Sequence, residues 1–359
     1  HACETTRAAT VICTDKTGTL TENKMRVMAC FPEEGVDMDL LARGIAINST
    51  VNLSTDEHGA PQTIGNPTEG ALLKWIAAKG YNYEALREQA NVAQVVPFST
   101  EIKRMETTTV EGERFVKGAP EVVISLCDDF GVIDKQQALT LLATYQAKGM
   151  RTLAFAYQHH GALALQAIVA IADPVRSDVA EAINTCRNHA HVRVIMVTGD
   201  NALTAGEIAQ QAGLVERGEP VVALTGAGFE ALTDEEAKTL VGNAEFKILS
   251  RAKPNDKARL VGLLQERGEV VAVTGDGTND APALKKAQVG LSMGDGTARA
   301  KEASDITIID NSFASINKAI LWGRSIYKNI RRFIVFQTIV NVSACLIVLF
   351  GAFVGLDSP

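Results

Sequence analysis

Residues 11–21 read Val-Ile-Cys-Thr-Asp-Lys-Thr-Gly-Thr-Leu-Thr, and this stretch restricts the fold more than any other. The apolar, β-prone run from Ala8 to Cys13 delivers one carboxylate, Asp15, onto a loop of small and hydroxyl residues. An α/β protein builds its sites in this way, at the carboxyl end of a strand, where spare backbone N–H groups face a ligand. Gly18 lets the backbone approach a bound phosphate, and Thr17 and Thr19 offer hydroxyls. With phosphate charge held by amides, hydroxyls and a metal, Asp15 can attack phosphorus as a nucleophile. By itself the stretch also suits an Asx-type turn after an ordinary strand.

The rest of the chain supplies the context. From residue 167 onward, strands alternate with helices: strand Ala167–Ile171, helix Val179–Asn188, strand Val192–Val197, a helix to Ala212, strand Val221–Leu224, helix Glu235–Leu240, strand Lys247–Leu249, helix Asn255–Glu266, strand Val270–Val273, then short strands at Val289–Leu291 and Ile306–Ile309. Such alternation predicts a doubly wound parallel sheet with helices on both faces, and strand Ala8–Cys13 belongs to the same sheet. Between them, residues 29–166 mix helices with antiparallel-looking strands around a polar turn at 55–59, which predicts an inserted α+β domain. The expected organisation is therefore 1–28 and 167–312 forming one domain, 29–166 a second, and 313–359 a stalk and membrane helix.

That last segment is apolar from Phe333 onward, interrupted only by Gln337, Thr338, Asn341 and Ser343, and is long enough for a bilayer span. Arg324, Lys328, Arg331 and Arg332 on its N-terminal flank place that flank, and the globular part before it, in the cytoplasm by the positive-inside tendency. A formal net charge of -7 argues against nucleic acid as a partner. The six cysteines are scattered without a C-x-x-C pair, so neither a disulfide framework nor a zinc site is indicated. The abrupt opening at His1 reads as the start of a fragment of a longer protein. His159-His160 and the His189/His191 pair read as solvated turns rather than metal ligands.

Phosphoryl transfer needs a nucleophile, a metal, charge neutralisation and a nucleotide pocket. The run Gly275-Asp276-Gly277-Thr278-Asn279-Asp280 puts two carboxylates and an amide on a turn after a buried strand. A hard Mg²⁺ keeps most of its waters, so Asp15, Asp276 and the backbone carbonyl of Thr17 suffice as its protein ligands. Asp280 and Asn279 are candidates for orienting the phosphate. Thr198-Gly199-Asp200 and Thr274-Gly275-Asp276 repeat one pattern, a buried strand ending in Thr-Gly-Asp, and bring acid and hydroxyl groups to the sheet edge where Asp15 emerges.

The D-K-T-G-T-L-T of residues 15–21 resembles, without a gap, the phosphorylation signature of the P-type ATPases, which form an aspartyl-phosphate on that Asp. The resemblance covers nearly the whole chain. It implies a haloacid-dehalogenase-like fold, with Thr198 donating to the phosphoryl group, Lys257 neutralising it, and Gly199 and Asp200 on the phosphate loop. Residues 274–285 match the T-G-D-G-x-N-D-A-P-A-L-K hinge motif, and Asp173-Pro174-Val175-Arg176 resembles D-P-x-R. In the insert, Lys117-Gly118-Ala119-Pro120 matches K-G-A-P, Phe98 falls where the family stacks an aromatic on adenine, and Glu69 and Arg151 match an adenine-side acid and a phosphate-side arginine. ATP as substrate and Mg²⁺ as cofactor follow from the resemblance.

Phosphatases of the same fold carry a second Asp two places after the nucleophile as general acid/base, and here that place is Thr17. Without a base, water attacks a phosphoaspartate slowly, so the reading is a pump. The opening His1-Ala2-Cys3-Glu4-Thr5 and the stretches around Trp322–Tyr327 and Val340–Val342 look like plasma-membrane-type Ca²⁺ pumps. Asn341 falls at a cation-ligating place of the family's fifth membrane helix, and three residues on stands Ala344, which cannot ligate a hard cation. The implied partners are ATP, Ca²⁺, membrane lipid, and an actuator domain and further membrane helices of a parent chain; no Thr-Gly-Glu-Ser loop of such an actuator occurs in this sequence. A pump for another cation or for lipid, and a phosphatase, are the alternatives.

Overall fold

The computed structural model describes residues 5–32, 34–55, 61–131, 133–216 and 218–354. The opening residues 1–4 and most of the polar turn expected at 55–59 lie outside them. The chain divides into two compact units: His1–Leu20, Ser177–Gly199 and Ala212–Pro359 form the first, and Thr21–Arg176 with Asp200–Gln211 the second.

The first unit is built on a seven-stranded, all-parallel sheet. From one edge to the other its strands are Val222–Thr225, Phe246–Ser250, Arg193–Val197, Val11–Asp15, Val271–Gly275, Val289–Met293 and Ile306–Ile308. Strand Val11–Asp15 is central, and its residues Val11 to Thr14 are buried, because helices cover both faces of the sheet and leave no side of the strand for solvent. On one face Val11, Cys13, Ile195, Val197, Val271 and Val273 meet Phe229, Leu260, Val261 and Leu264. Helix Pro254–Glu266, which supplies the last three, starts with proline in its first turn, where no amide hydrogen is needed.

The second unit holds a six-stranded antiparallel sheet in the order Arg26–Phe31, Ala164–Ala172, Arg151–Gln158, Arg114–Gly118, Arg104–Thr109 and Val92–Val96. A separate hairpin pairs Asn52–Thr55 with Pro61–Ile64. Here one expectation is corrected. The run Ala167–Ile171 belongs to strand Ala164–Ala172 of this antiparallel sheet, and not to the parallel one. Its continuous apolar character comes from helices on both faces. Val169 and Ile171 pack with Leu41, Ile45, Leu72 and Ile76, while Ile168 and Leu165 pack with Val123, Ile124 and Leu142. A strand covered twice loses the apolar–polar alternation that marks most antiparallel strands.

The chain's final helix, Phe313–Val354, begins against the first unit, where Phe313, Ile316 and Ile320 are buried. Arg324 donates to the carbonyls of Arg7 (3.0 Å), Ala9 (3.1 Å) and Ala190, fixing the helix near the amino end of the central strand. Beyond it the helix is largely exposed and, from Phe333 onward, apolar; its most apolar 18-residue stretch has a mean hydropathy of 2.3. Among the described residues it is the one helix long and apolar enough to cross a membrane.

Candidate active site

The chain turns sharply as it leaves the central strand. Thr17 (φ -73°, ψ 132°) and Gly18 (φ 74°, ψ -16°) have the dihedrals of a type II turn, whose second position needs a positive φ. Gly18 is required for a second reason: a Cβ there would lie 2.2 Å from an Asp276 carboxylate oxygen. The turn is thus pressed against the loop that leaves the neighbouring strand. Gly275 is constrained in the same way, since a Cβ would meet the Asp280 side chain at 2.4 Å.

Three carboxylates gather at this edge. Asp15, Asp276 and Asp280 each offer one oxygen, and these oxygens lie within 4.8 Å of one another. Among the described residues this is the only such grouping of three potential metal-binding side chains. Asp280 is fully engaged by the protein. One oxygen accepts from Lys257 Nζ at 2.6 Å, and the other from the amides of Asp276 (3.1 Å) and Gly277 (3.0 Å). Asp280 therefore holds Lys257 and the turn in place, and the three carboxylates together form a group that could hold a metal ion. Lys257, buried in the first turn of its helix, also donates to the Thr274 carbonyl (3.3 Å) and lies 3.7 Å from Asp15.

The electrostatics follow first from burial and then from this count of one ammonium among three carboxylates. Burial pushes the Asp15 carboxyl up to about 7; Lys257 opposes the rise, and Asp280 and Asp276 add to it. For Lys257, burial disfavours its charge, but Asp15 and Asp280 outweigh burial and hold it above the ordinary lysine value. An all-oxygen donor set carrying surplus negative charge suits a hard divalent cation such as Mg²⁺.

Thr198 follows directly on Val197, the residue in register with Asp15, and is buried with its amide bonded to Leu249 O at 2.9 Å. Asn279 is exposed on the short turn Thr278–Asp280. The division between units falls between Gly199 and Asp200.

In the second unit, Glu69 sits in the first turn of helix Pro67–Ala78, which Asn66 caps by accepting from Thr68 N at 2.9 Å. Lys117, buried on strand Arg114–Gly118, forms an ion pair with Glu69 and donates to the Asn48 carbonyl. Glu69 also accepts from Thr50 N at 3.0 Å, and its pKa lies below the ordinary value because Lys117 and Thr50 outweigh burial. Arg151 reaches the same helix end, donating to Thr68 Oγ1 at 3.1 Å. Phe98 is 58% exposed. Glu69, Lys117 and Arg151 thus converge on one helix N-terminus, while Phe98 presents a bare ring.

Residues 38–178 match a family model described as P-type ATPase, cytoplasmic domain N, and residues 243–320 one described as haloacid dehalogenase-like hydrolase. Over its whole length the chain is 38% identical to calcium-transporting ATPase 12, plasma membrane-type, of Arabidopsis thaliana, of which it covers 38%. It is 38% identical to calcium-transporting ATPase PAT1 of Dictyostelium discoideum, with 98% of this chain aligned to 34% of that protein. The chain belongs to the P-type ATPase family. Its fold also matches the crystal structure of a zinc-transporting PIB-type ATPase in the E2.Pi state, with a TM-score of 0.69 at 23% identity, over 99% of this chain and 47% of that one. The chain spans a little over a third of the length of the curated relatives it matches.

Within this P-type ATPase chain, the structure adds two contacts that the sequence does not reveal. Thr274 accepts from Asp15 N at 3.1 Å. Asp256 accepts from Lys253 N at 2.8 Å, closing the first turn of the helix that carries Lys257. Asn341, on the apolar helix, accepts from Gln337 at 3.3 Å across one turn.

Proposed function

We propose that this chain is the catalytic portion, with one membrane helix, of an ATP-driven Ca²⁺ pump that works through an aspartyl-phosphate on Asp15. The observation that carries the reading is the meeting of Asp15, Asp276, Asp280 and Lys257 at the carboxyl edge of a parallel sheet. In the forward step a carboxylate oxygen of Asp15 attacks the γ-phosphorus of ATP, the bond to the β,γ-bridging oxygen breaks, and ADP leaves. Lys257 and Thr198 take up charge on the transferring group, and Gly199 and Asp200 shape the loop around it. Asp15, Asp276 and the Thr17 carbonyl hold Mg²⁺, which when bound neutralises phosphoryl charge. Asn279 orients the phosphate, and Asp280 fixes Lys257.

In the second unit, Phe98 stacks on the base, Glu69 lies on the adenine side and Arg151 on the phosphate side. Lys117 supports this site through Glu69: it is buried in that ion pair and acts by fixing the helix end. Because Thr17 carries no carboxylate, the phosphoaspartate on Asp15 persists until another part of the protein positions water. That part is an actuator domain of a longer parent chain, with further membrane helices completing the ion site around Asn341.

The names of the relatives support Ca²⁺ as cargo. They and the apolar helix Phe313–Val354 support a multi-pass membrane protein with both units in the cytoplasm. The test uses the full-length protein in sealed vesicles given labelled ATP. The expected result is acid-stable label that rises with Ca²⁺ and is accompanied by ⁴⁵Ca²⁺ uptake. Label that ignores Ca²⁺ and responds to another cation moves the assignment to that cation.

A further inference from the structure

The nucleophile's own backbone is closed into a ring of hydrogen bonds by two buried threonines. Along the central strand, pairing with Val271–Gly275 runs from Val11 to Cys13 and then stops, while pairing with Arg193–Val197 continues to Asp15. The two strands part where the site opens, which strips Asp15 N of a main-chain acceptor. The Thr274 hydroxyl takes that place, accepting from Asp15 N at 3.1 Å. Thr274 then donates to Thr14 Oγ1 at 3.0 Å, and Thr14 donates to the Asp15 carbonyl at 3.1 Å. Each hydroxyl uses its single hydrogen once and accepts once, so the ring has one consistent proton direction. Both threonines are fully buried, so water cannot substitute for either.

The ring ties down both backbone polar groups of Asp15, and hence the direction of its Cα–Cβ bond. It does so on the side where the sheet no longer does. Thr274 also offers its carbonyl to Lys257 Nζ at 3.3 Å, so one residue sets both the nucleophile and the ammonium beside it. We infer that Thr274, closed through Thr14, is a positioning residue that holds Asp15 in line for attack on phosphorus. Catalysis by orientation loses rate steeply with small displacements of the attacking atom. This inference rests on the reading of Asp15 as the phosphorylated residue.

The experiment compares wild type, Thr274→Val and Thr274→Ser in the full-length protein. It measures the rate of hydroxylamine-sensitive phosphoenzyme formation at saturating ATP, and the ATP concentration for half-maximal rate. The expected result is a fall in rate of about tenfold to a hundredfold in the valine variant, with half-saturating ATP unchanged, and recovery of most of the rate in the serine variant. A valine variant at the wild-type rate overturns the inference. So does a serine variant as slow as the valine one, since the methyl group would then be what matters. If Thr274→Val does not fold, Thr14→Val carries the same prediction, because it opens the ring at the Asp15 carbonyl and leaves the amide bonded. Absence of hydroxylamine-sensitive label in the wild type would instead remove the reading of Asp15 itself.

Discussion

The candidate sites of the two units treat buried charge in opposite ways. In the antiparallel unit, cations and anions are matched one to one in Lys117 with Glu69 and in Arg43 with Glu113. In the parallel unit, one ammonium faces three carboxylates. A matched pair needs nothing from outside and serves to hold shape. An unmatched cluster is stable only at a cost, and it binds whatever removes that cost. On the function proposed above, the difference separates a unit that holds a neutral base beside a fixed helix end from one that takes a cation and a phosphoryl group.

The sharpest way to break the comparison is to delete one member of a matched pair. Lys117→Met leaves Glu69 without its partner and should destabilise the second unit by about 3 kcal/mol, read by denaturant unfolding. The double variant with Glu69→Leu should recover most of that loss. Deletion in the unmatched cluster should have the opposite sign. Asp276→Asn removes one of three mutually repelling charges, so without divalent cations the first unit should gain about 1 kcal/mol. The same variant should need roughly tenfold more Mg²⁺ for phosphorylation. A destabilised Asp276→Asn without cations would contradict the surplus-charge account.

Protons should report the same contrast. The Asp15 carboxyl, raised to about 7, keeps a proton in the folded chain that the unfolded chain has lost above about pH 4. Folded-state stability from this group therefore falls as pH rises from about 4 to about 7. Mg²⁺ should accordingly raise the melting temperature of the first unit more at pH 8 than at pH 5.5. Glu69 runs the other way, because its pKa is depressed in the folded chain. Its contribution is present above the unfolded carboxylate value and is lost as pH falls through the folded one. A Mg²⁺ shift that is equal at both pH values would mean that Asp15 is not the group that releases a proton when the cation binds.

The smallest structural effect should come from Phe98→Ala. The ring is 58% exposed, so its loss should leave stability unchanged while costing roughly 1–3 kcal/mol in nucleotide affinity, measured by titration with a fluorescent nucleotide. Unchanged affinity would remove Phe98 from the site.

Much of this arrangement is legible in the order of residues. Strand Val11–Asp15, the Thr-Gly-Asp endings at Thr198 and Thr274 and the first-turn Lys257 can be read because each lies next to a strand or helix with a strong apolar pattern. Strand Ala164–Ala172 was misread for the converse reason: helices on both faces give it the apolar run of a parallel strand. The pairing of Glu69 with Lys117 was hidden because it joins a helix start to a mid-sheet strand 48 positions away. The Thr14–Thr274 ring was hidden because threonine in a buried strand ordinarily means β-propensity, and only the parting of two strands gives these hydroxyls work.

The central claim is that a phosphoryl group from ATP comes to rest on Asp15 and stays there. The direct measurement is acid-quenched labelling with γ-³²P-ATP, followed by peptide mapping of the labelled site. The account predicts a single labelled peptide containing residues 11–21, stable in acid, released by hydroxylamine, and absent in Asp15→Asn although that variant still binds nucleotide. Label that survives Asp15→Asn, or that maps to another peptide, would contradict it.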